Sequence, residues 1–265
     1  MPRASGVTLY SRNRLKQKLG ANQPALGFWL SLNSLAITEM AAGAGWDWLL
    51  LDMEHAIYDA EGVERHLLAA RSGGDAEFVV RPPSHDPNLI KRLMDGGVRS
   101  FMFPFVQTVA EAEAAVASTR YPPRGIRGFS GGSRANDYGR GTESYIQDYE
   151  RDICVILQVE SPQAVDNIAG YATIDGVDAI LIGANDLAAN MDHLGDTRHP
   201  EVVAKFDEAG AAIMSAGKAA GFQFFDERMT GLLERGFTLA AVAGDMNVML
   251  RGMQATLRGL GAKYA

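Results

Sequence analysis

Short apolar runs recur along the chain, each followed by a stretch with helical spacing. The strand candidates are 25–30 (ALGFWL), 47–52 (DWLLLD), 77–81 (EFVVR), 99–103 (RSFMF), 153–159 (ICVILQV), 177–182 (VDAILI), 221–225 (GFQFF) and 238–243 (TLAAVA). Most are near-continuous hydrophobes, the pattern of parallel strands covered on both faces. Between them the Ala- and Glu-rich stretches 34–43, 60–71, 87–95, 108–118, 162–169, 200–216 and 227–234 predict helices. Asp86-Pro87 and Ser161-Pro162 suit an N-cap and first helical position, and Gly217 and Gly236 suit helix ends. Eight strands alternating with helices predict a parallel α/β sheet, and eight units predict a single-domain (β/α)8 TIM barrel over 1–265, with 1–20 as an N-terminal helical extension. A doubly wound open sheet is the alternative. One connection, 119–150, is unusually long for a compact domain. Its Gly, Arg and Ser content suits a cover over a site or a contact between subunits.

Composition narrows the class. The chain has 265 residues, 47% of them hydrophobic, which fits one large core. The net charge is −7 and the basic residues form no stripe, which argues against a nucleic-acid partner. An acidic protein that binds a small anion does so with local groups, against its own mean field. Cys154 is the single cysteine, so no intramolecular disulfide and no thiolate-rich zinc site can form. It lies inside an apolar run and reads as a small buried hydrophobe. The first twenty residues lack an apolar core of signal-peptide length. No run approaches the roughly 18 apolar residues of a membrane span. The expectation is a soluble, cytoplasmic protein with no membrane partner.

The active site of such a barrel lies at the C-terminal ends of its strands. Asp52, Glu54 and His55 follow the second strand, and Arg81 ends the third. Pro104 and Gln107 follow the fourth, and Glu160 the fifth. Gly183, Asn185 and Asp186 follow the sixth, Asp226 the seventh, and Gly244 and Asp245 the eighth. Together they would ring one mouth with carboxylates, one histidine and one arginine. Glu160 and Asp186 follow adjacent strands and could share a hard divalent cation, Mg²⁺ or Mn²⁺; alternatively each is a solvated helix cap. Arg81 offers a fixed fork for a carboxylate or a developing oxyanion, or a salt bridge to a neighbouring acid. His55 is suited to general base catalysis. His66, His85, His193 and His199 read as structural or surface residues. No lysine follows a strand, which excludes Schiff-base chemistry at the mouth. Asp226, Glu227 and Asp245 would repel a phosphate, so an unphosphorylated anion is expected.

The strings "GFWLS", "AGAGWDWLLLDMEHA", "VVRP", "LIKRLMDGGVRSFMFPFV", "STRYPPRGIRG", "LQVESPQAVDNI", "IGANDLAANM" and "AGKAAGF" follow in order. As a set they resemble the metal-dependent class II pyruvate aldolases that include 4-hydroxy-2-oxoheptane-1,7-dioate aldolase and 2-dehydro-3-deoxyglucarate aldolase. The resemblance runs from about residue 12 to 255. It implies a barrel whose last helix is exchanged with a neighbour, in a hexamer built as a trimer of dimers. It implies Mg²⁺, Mn²⁺ or Co²⁺ held by Glu160 and Asp186, with pyruvate and an aldehyde as small-molecule partners. It implies that Arg81 contacts the keto or enolate oxygen, that His55 transfers the proton, and that Asp52 lies beside them. Asp95 matches an acid that partners the histidine, in one arrangement across a subunit boundary. Gly183, Ala184 and Asn185 match the segment that receives the pyruvate carboxylate. The segment 129–133 departs from the family pattern at a loop expected to line the aldehyde side. The alternatives are a CoA-thioester lyase of the same barrel superfamily, which would need a basic patch that is not found, and a non-enzymatic metal-binding barrel.

Overall fold

The computed structural model describes residues 12–261. Eight parallel strands close into one barrel in sequence order, with β1 (Ala25–Leu30) paired to both β2 (Trp48–Asp52) and β8 (Leu239–Gly244). The others are β3 (Glu77–Arg81), β4 (Ser100–Phe103), β5 (Cys154–Val159), β6 (Ala179–Ile182) and β7 (Ala219–Gln223). The closed barrel replaces the open sheet considered above.

The helices that precede and follow these strands are α1 (Arg14–Gly20), α2 (Leu35–Gly43), α3 (Ala60–Gly73), α4 (Pro87–Asp95) and α5 (Val109–Thr119). Then come α6 (Thr142–Asp152), α7 (Pro162–Asp166), α8 (Ile168–Thr173), α9 (Ala184–Ala189), α10 (Pro200–Ser215), α11 (Arg228–Glu234) and α12 (Asp245–Leu260). Asp86 and Ser161 cap α4 and α7 with a proline at the start of each helix, as the sequence suggests. The helix expected over 162–169 is two short helices, α7 and α8, meeting at Asn167.

Two apolar layers hold the barrel. Outward strand residues such as Leu49, Val80, Phe101, Leu157 and Phe222 pack under the helices. Inward residues, among them Trp48, Leu50, Val79, Met102, Ile156 and Leu181, fill the interior with Cys154. Cys154 is fully buried, and burial raises its thiol pKa well above the ordinary value. The Trp48 indole occupies the space a Cβ at Gly27 would need, and its Nε1 donates to Ala25 O at 3.1 Å. Leu15 and Leu19 of α1 join this inner layer and stopper the N-terminal end of the barrel. The expected N-terminal helix is therefore Arg14–Gly20; residues 1–11 lie outside the described residues.

Candidate active site

Side chains alternate across a strand, so Asp52, Arg81 and Gln158 all point inward near the C-terminal ends of β2, β3 and β5. Asp52 and Arg81 are register partners on adjacent strands. The guanidinium grips the carboxylate with two bonds, Nε to Oδ1 at 2.9 Å and Nη2 to Oδ2 at 2.7 Å. Trp29 Nε1 donates to the same Oδ2 at 3.1 Å, and the backbone N–H groups of Glu54 and His55 donate to Oδ1. Burial pushes the Asp52 carboxyl up, but Arg81, Trp29 and the His55 N–H outweigh it and hold it below its usual range. The Arg81 guanidinium lies 4.8 Å from the centroid of the Trp29 ring. Its remaining Nη1 stands 3.1 Å from Glu54 Oε2 and 3.4 Å from Gln158 Oε1. Arginine is thus fixed on three sides before any ligand arrives.

Glu160 is buried in a different way. Among the described residues its oxygens accept only neutral donors: Gln158 Nε2 at 2.6 Å and the Phe105 N–H at 2.8 Å. Phe105 holds φ +48°, a left-handed backbone that costs a non-glycine residue about 1 kcal/mol or more. That strain accompanies an N–H aimed at the carboxylate. Burial pushes the Glu160 carboxyl up to about 8 against the Phe105 bond, and Asp186 and Glu54 add to the push. Glu54 is also raised, first by burial and with a contribution from Asp186, despite Arg81. Gly183 sits against Glu160, and a Cβ there would collide with its carboxylate. Buried Glu160, half-buried Asp186 and a glycine that makes room fit an oxygen-ligand site for a hard divalent ion.

These groups line a cavity of about 410 Å³ that holds Trp29, Asp52, His55, Arg81, Gln158, Glu160 and Gly183 through Asp186, closed by Gln223, Phe225 and Asp245. His55 stands on the loop after β2 with 64% of its side chain exposed. The Gly183 N–H is spent on Val159 O, whereas Ala184 and Asn185 open α9, where first-turn N–H groups lack helical acceptors. Among the described residues no lysine lines the cavity, and Arg81 is its one arginine.

The sequence pattern of the "HpcH/HpaI aldolase/citrate lyase" family matches residues 25–251. The chain belongs to this family. It is 40% identical over 254 residues to a pyruvate aldolase of Rhizobium etli, covering 96% of this chain and 98% of that one. It is 41% identical to a 5-keto-4-deoxy-D-glucarate aldolase of Salmonella arizonae, covering 91% and 94%. A solved HpcH/HpaI family protein from Burkholderia cenocepacia superposes with a TM-score of 0.90 at 39% identity, covering 94% and 99%. The family's aldolases are carbon–carbon lyases, so this barrel is an enzyme scaffold.

Several strand-end residues of this HpcH/HpaI barrel fall elsewhere. Strand β7 runs Ala219–Gln223 rather than 221–225 because it is registered from Ala219 against Ala179 of β6. Gln223 therefore faces the mouth, and Asp226 lies outside it, held by Arg228 and Arg198. Gln107 is bonded to Ser161. Asp95 ends α4, which runs antiparallel to the strands, so it sits at the opposite rim from its own mouth. There Arg127 Nη2 donates to its Oδ1 at 2.8 Å. The 119–150 connection is no cover over its own site. It follows α5 and leads into β5, so it lies at that same N-terminal rim, where Arg134 donates to Gly96 O at 2.8 Å. Segment 129–133 accordingly does not line the mouth of its own barrel.

Gln158, Trp29 and Phe105 were missed, whereas Asp245 lines the mouth as expected. Asp245 is buried, and its Oδ2 accepts from the N–H groups of Ser31 and Leu32 at 2.9 and 2.7 Å, fixing the rim beside β1. The inward alternation of 156, 158 and 160 was the available signal for Gln158. The strain at Phe105 has no local signature.

Proposed function

We propose that this mouth cleaves or forms 4-hydroxy-2-oxoacids, with pyruvate or a related 2-oxoacid and an aldehyde as the other side of the reaction. The observation that carries the reading is Glu160: a buried carboxylate with no cationic hydrogen-bond donor, beside an arginine already fixed in place. Glu160 and Asp186 would hold the divalent ion, Mg²⁺, Mn²⁺ or Co²⁺, and when bound it supplies Lewis-acid stabilisation of the enolate. The residues of the chain do the rest. Arg81 presents a preorganised positive charge where the oxyanion develops, and Asp52 and Trp29 keep its plane from turning. Gln158 ties Arg81 to Glu160, so the two move as a unit. The backbone at Ala184 and Asn185 receives the carboxylate of the 2-oxoacid, with Gly183 leaving room for Glu160. His55, exposed at the surface of the mouth, takes the proton of the 4-hydroxyl in cleavage and returns it in synthesis. One arginine and no lysine leave nothing to hold the phosphates of a CoA thioester.

The same reading includes assembly. Along α12 only Asp245 is buried, while Met246, Met249, Leu250, Met253, Leu257 and Leu260 are each 42–57% exposed. An apolar stripe of that kind calls for cover. Exchange of α12 between two copies, within a hexamer, supplies it. Asp95 and 129–133, remote from their own mouth, would meet the mouth of another copy.

The test is twofold. Pyruvate in D₂O should exchange its methyl protons with the metal-loaded protein, and chelation should stop it. A screen of 4-hydroxy-2-oxoacids with each ion should release pyruvate. Exchange that persists after complete metal removal overturns the mechanism, and a monomer in sedimentation overturns the assembly.

A further inference from the structure

We propose that His193, His199 and Glu201 form a second divalent-ion site that clips the connection between β6 and α10 and takes an imidazole-seeking ion such as Zn²⁺ or Ni²⁺. One ligand atom from each residue lies within 4.8 Å of the others. His193 Nε2 is 3.0 Å from Glu201 Oε2. The two imidazoles face each other with centroids 3.5 Å apart and planes 18° apart. Two nitrogens and one carboxylate oxygen, with positions left for water, match borderline transition ions better than Mg²⁺.

The backbone already holds these residues in place. The His193 N–H donates to Ala188 O at 2.8 Å, Asp196 N–H to His193 O at 2.9 Å, and His199 N–H to Asp196 O at 3.2 Å. His199 also caps α10, but through a long contact: its Nδ1 accepts from Glu201 N–H at 3.4 Å. An ion at that nitrogen would displace little. The start of the 16-residue α10 repels a cation, and Glu201 in its first turn offsets that. Arg198, the adjacent cation, is turned away to Asp226 and Glu227 at 3.3 and 2.6 Å. Binding requires the rings to fan apart from their present 18°, which half-buried histidines and an exposed glutamate permit.

The site is separate from the mouth. None of its three residues lines the cavity there. The two sites are linked through α9, six residues long, whose first turn carries Asp186 and after which the chain reaches His193. An ion at the histidines would stiffen the segment that carries Asp186 without joining the chemistry. The competing description is an ion-free helix cap with a His193–Glu201 pair.

The test uses the full chain with Glu160→Gln and Asp186→Asn, stripped of metal, so that the outcome does not depend on the proposed reaction. Calorimetric titration should show one Zn²⁺ per chain, no Mg²⁺, and a higher Tm with Zn²⁺. Adding His193→Ala should weaken Zn²⁺ at least about tenfold and remove the Tm rise, as expected for loss of a direct imidazole ligand. His199→Asn, which keeps a capping oxygen but loses the imidazole, should do the same. No Zn²⁺ binding in the mouth variant, or binding that neither histidine substitution changes, overturns the site.

Discussion

The two ends of this barrel both bury carboxylates, and they treat them oppositely. At the N-terminal end Glu77 faces inward and is satisfied within the chain. Arg99 donates to it twice, at 3.0 and 2.6 Å, and Ser100 Oγ donates at 2.8 Å. Asp152 beside it accepts the Asn13 N–H at 3.1 Å and pairs with Arg151, and Lys16 pairs with Asp178 at 3.1 Å. With Leu15 and Leu19 above, that end is closed and neutralised. At the mouth Asp52 has its arginine, but Glu160 has only an amide and a backbone N–H. Buried charge usually finds a partner. Where the chain withholds one, a partner from outside is the natural inference, and the pair of ends separates structural charge from charge reserved for a ligand.

The sharpest way to break this contrast is to neutralise one carboxylate at each end. Glu160→Gln should lower kcat by about 10³-fold or more, since it removes an ion ligand and with it the stabilisation of the developing oxyanion. Its Tm without metal should not fall, because the change removes a buried carboxyl that bonds only to an amide and a backbone N–H. Glu77→Gln should do the reverse, costing about 2 kcal/mol or more in chemical denaturation by weakening the bonds that Arg99 and Ser100 make to this carboxylate, with kcat nearly intact. A Glu77→Gln variant as inactive as Glu160→Gln would erase the distinction.

Arg81 stands on both sides of the contrast, so its loss should show in both measurements. Arg81→Met should reduce kcat/KM by about 10²–10³-fold, the usual loss for one oxyanion donor. It should also destabilise by about 3–5 kcal/mol, because Asp52 would remain buried without its partner. In the double variant with Asp52→Asn the stability should recover while activity does not. Recovery of both would assign Arg81 a purely structural role.

At the closed end, Leu15→Ala should cost about 2–5 kcal/mol by opening a cavity under the barrel floor. Here kcat and KM should stay within about twofold at temperatures where the variant is folded, since the lesion lies a barrel length from the chemistry. A loss of turnover larger than the loss of folded protein would mean that the floor transmits to the mouth.

Much of this was legible in the residues. Near-continuous apolar runs marked seven strands closely, and period-two alternation at 50, 52 and 79, 81 aimed Asp52 and Arg81 inward. The remaining run, the seventh at 221–225, misled because Phe224 and Phe225 extend the apolar stretch beyond the paired backbone, which starts at Ala219. That two-residue shift moved Asp226 out of the site and brought Gln223 in. The 119–150 connection was misplaced although the order of elements fixes its rim: a loop after a helix and before a strand belongs at the strand's N-terminal end. A salt bridge from Arg81 to a neighbouring acid was among the expectations, but the two-bond grip on Asp52 was not legible in the residues themselves, because it depends on the register between two strands, which no local pattern states. Nor was Phe105, whose φ is imposed by the surrounding structure and by its bond to Glu160.

The smallest expected effect is in the pH dependence of stability, and it discriminates well. In the metal-free protein Glu160 has a folded-state pKa of about 8, above the ordinary 4.5 of the unfolded chain. Between those values the folded state holds a proton that the unfolded state has lost. Stability from this group is therefore fully present below about pH 4.5 and declines as pH rises through 8, the reverse of an arginine-paired carboxylate such as Asp52, whose contribution is lost as pH falls. Metal-free wild type should thus lose Tm between pH 6 and 9 relative to Glu160→Gln, in which the titrating group is absent (both pH values chosen to bracket about 8). Added Mg²⁺ or Mn²⁺ should flatten the difference, because an ion favours the ionised carboxylate. Parallel Tm curves for the two proteins would mean that Glu160 is already ionised and stabilised within the chain, and the contrast between the two ends would vanish.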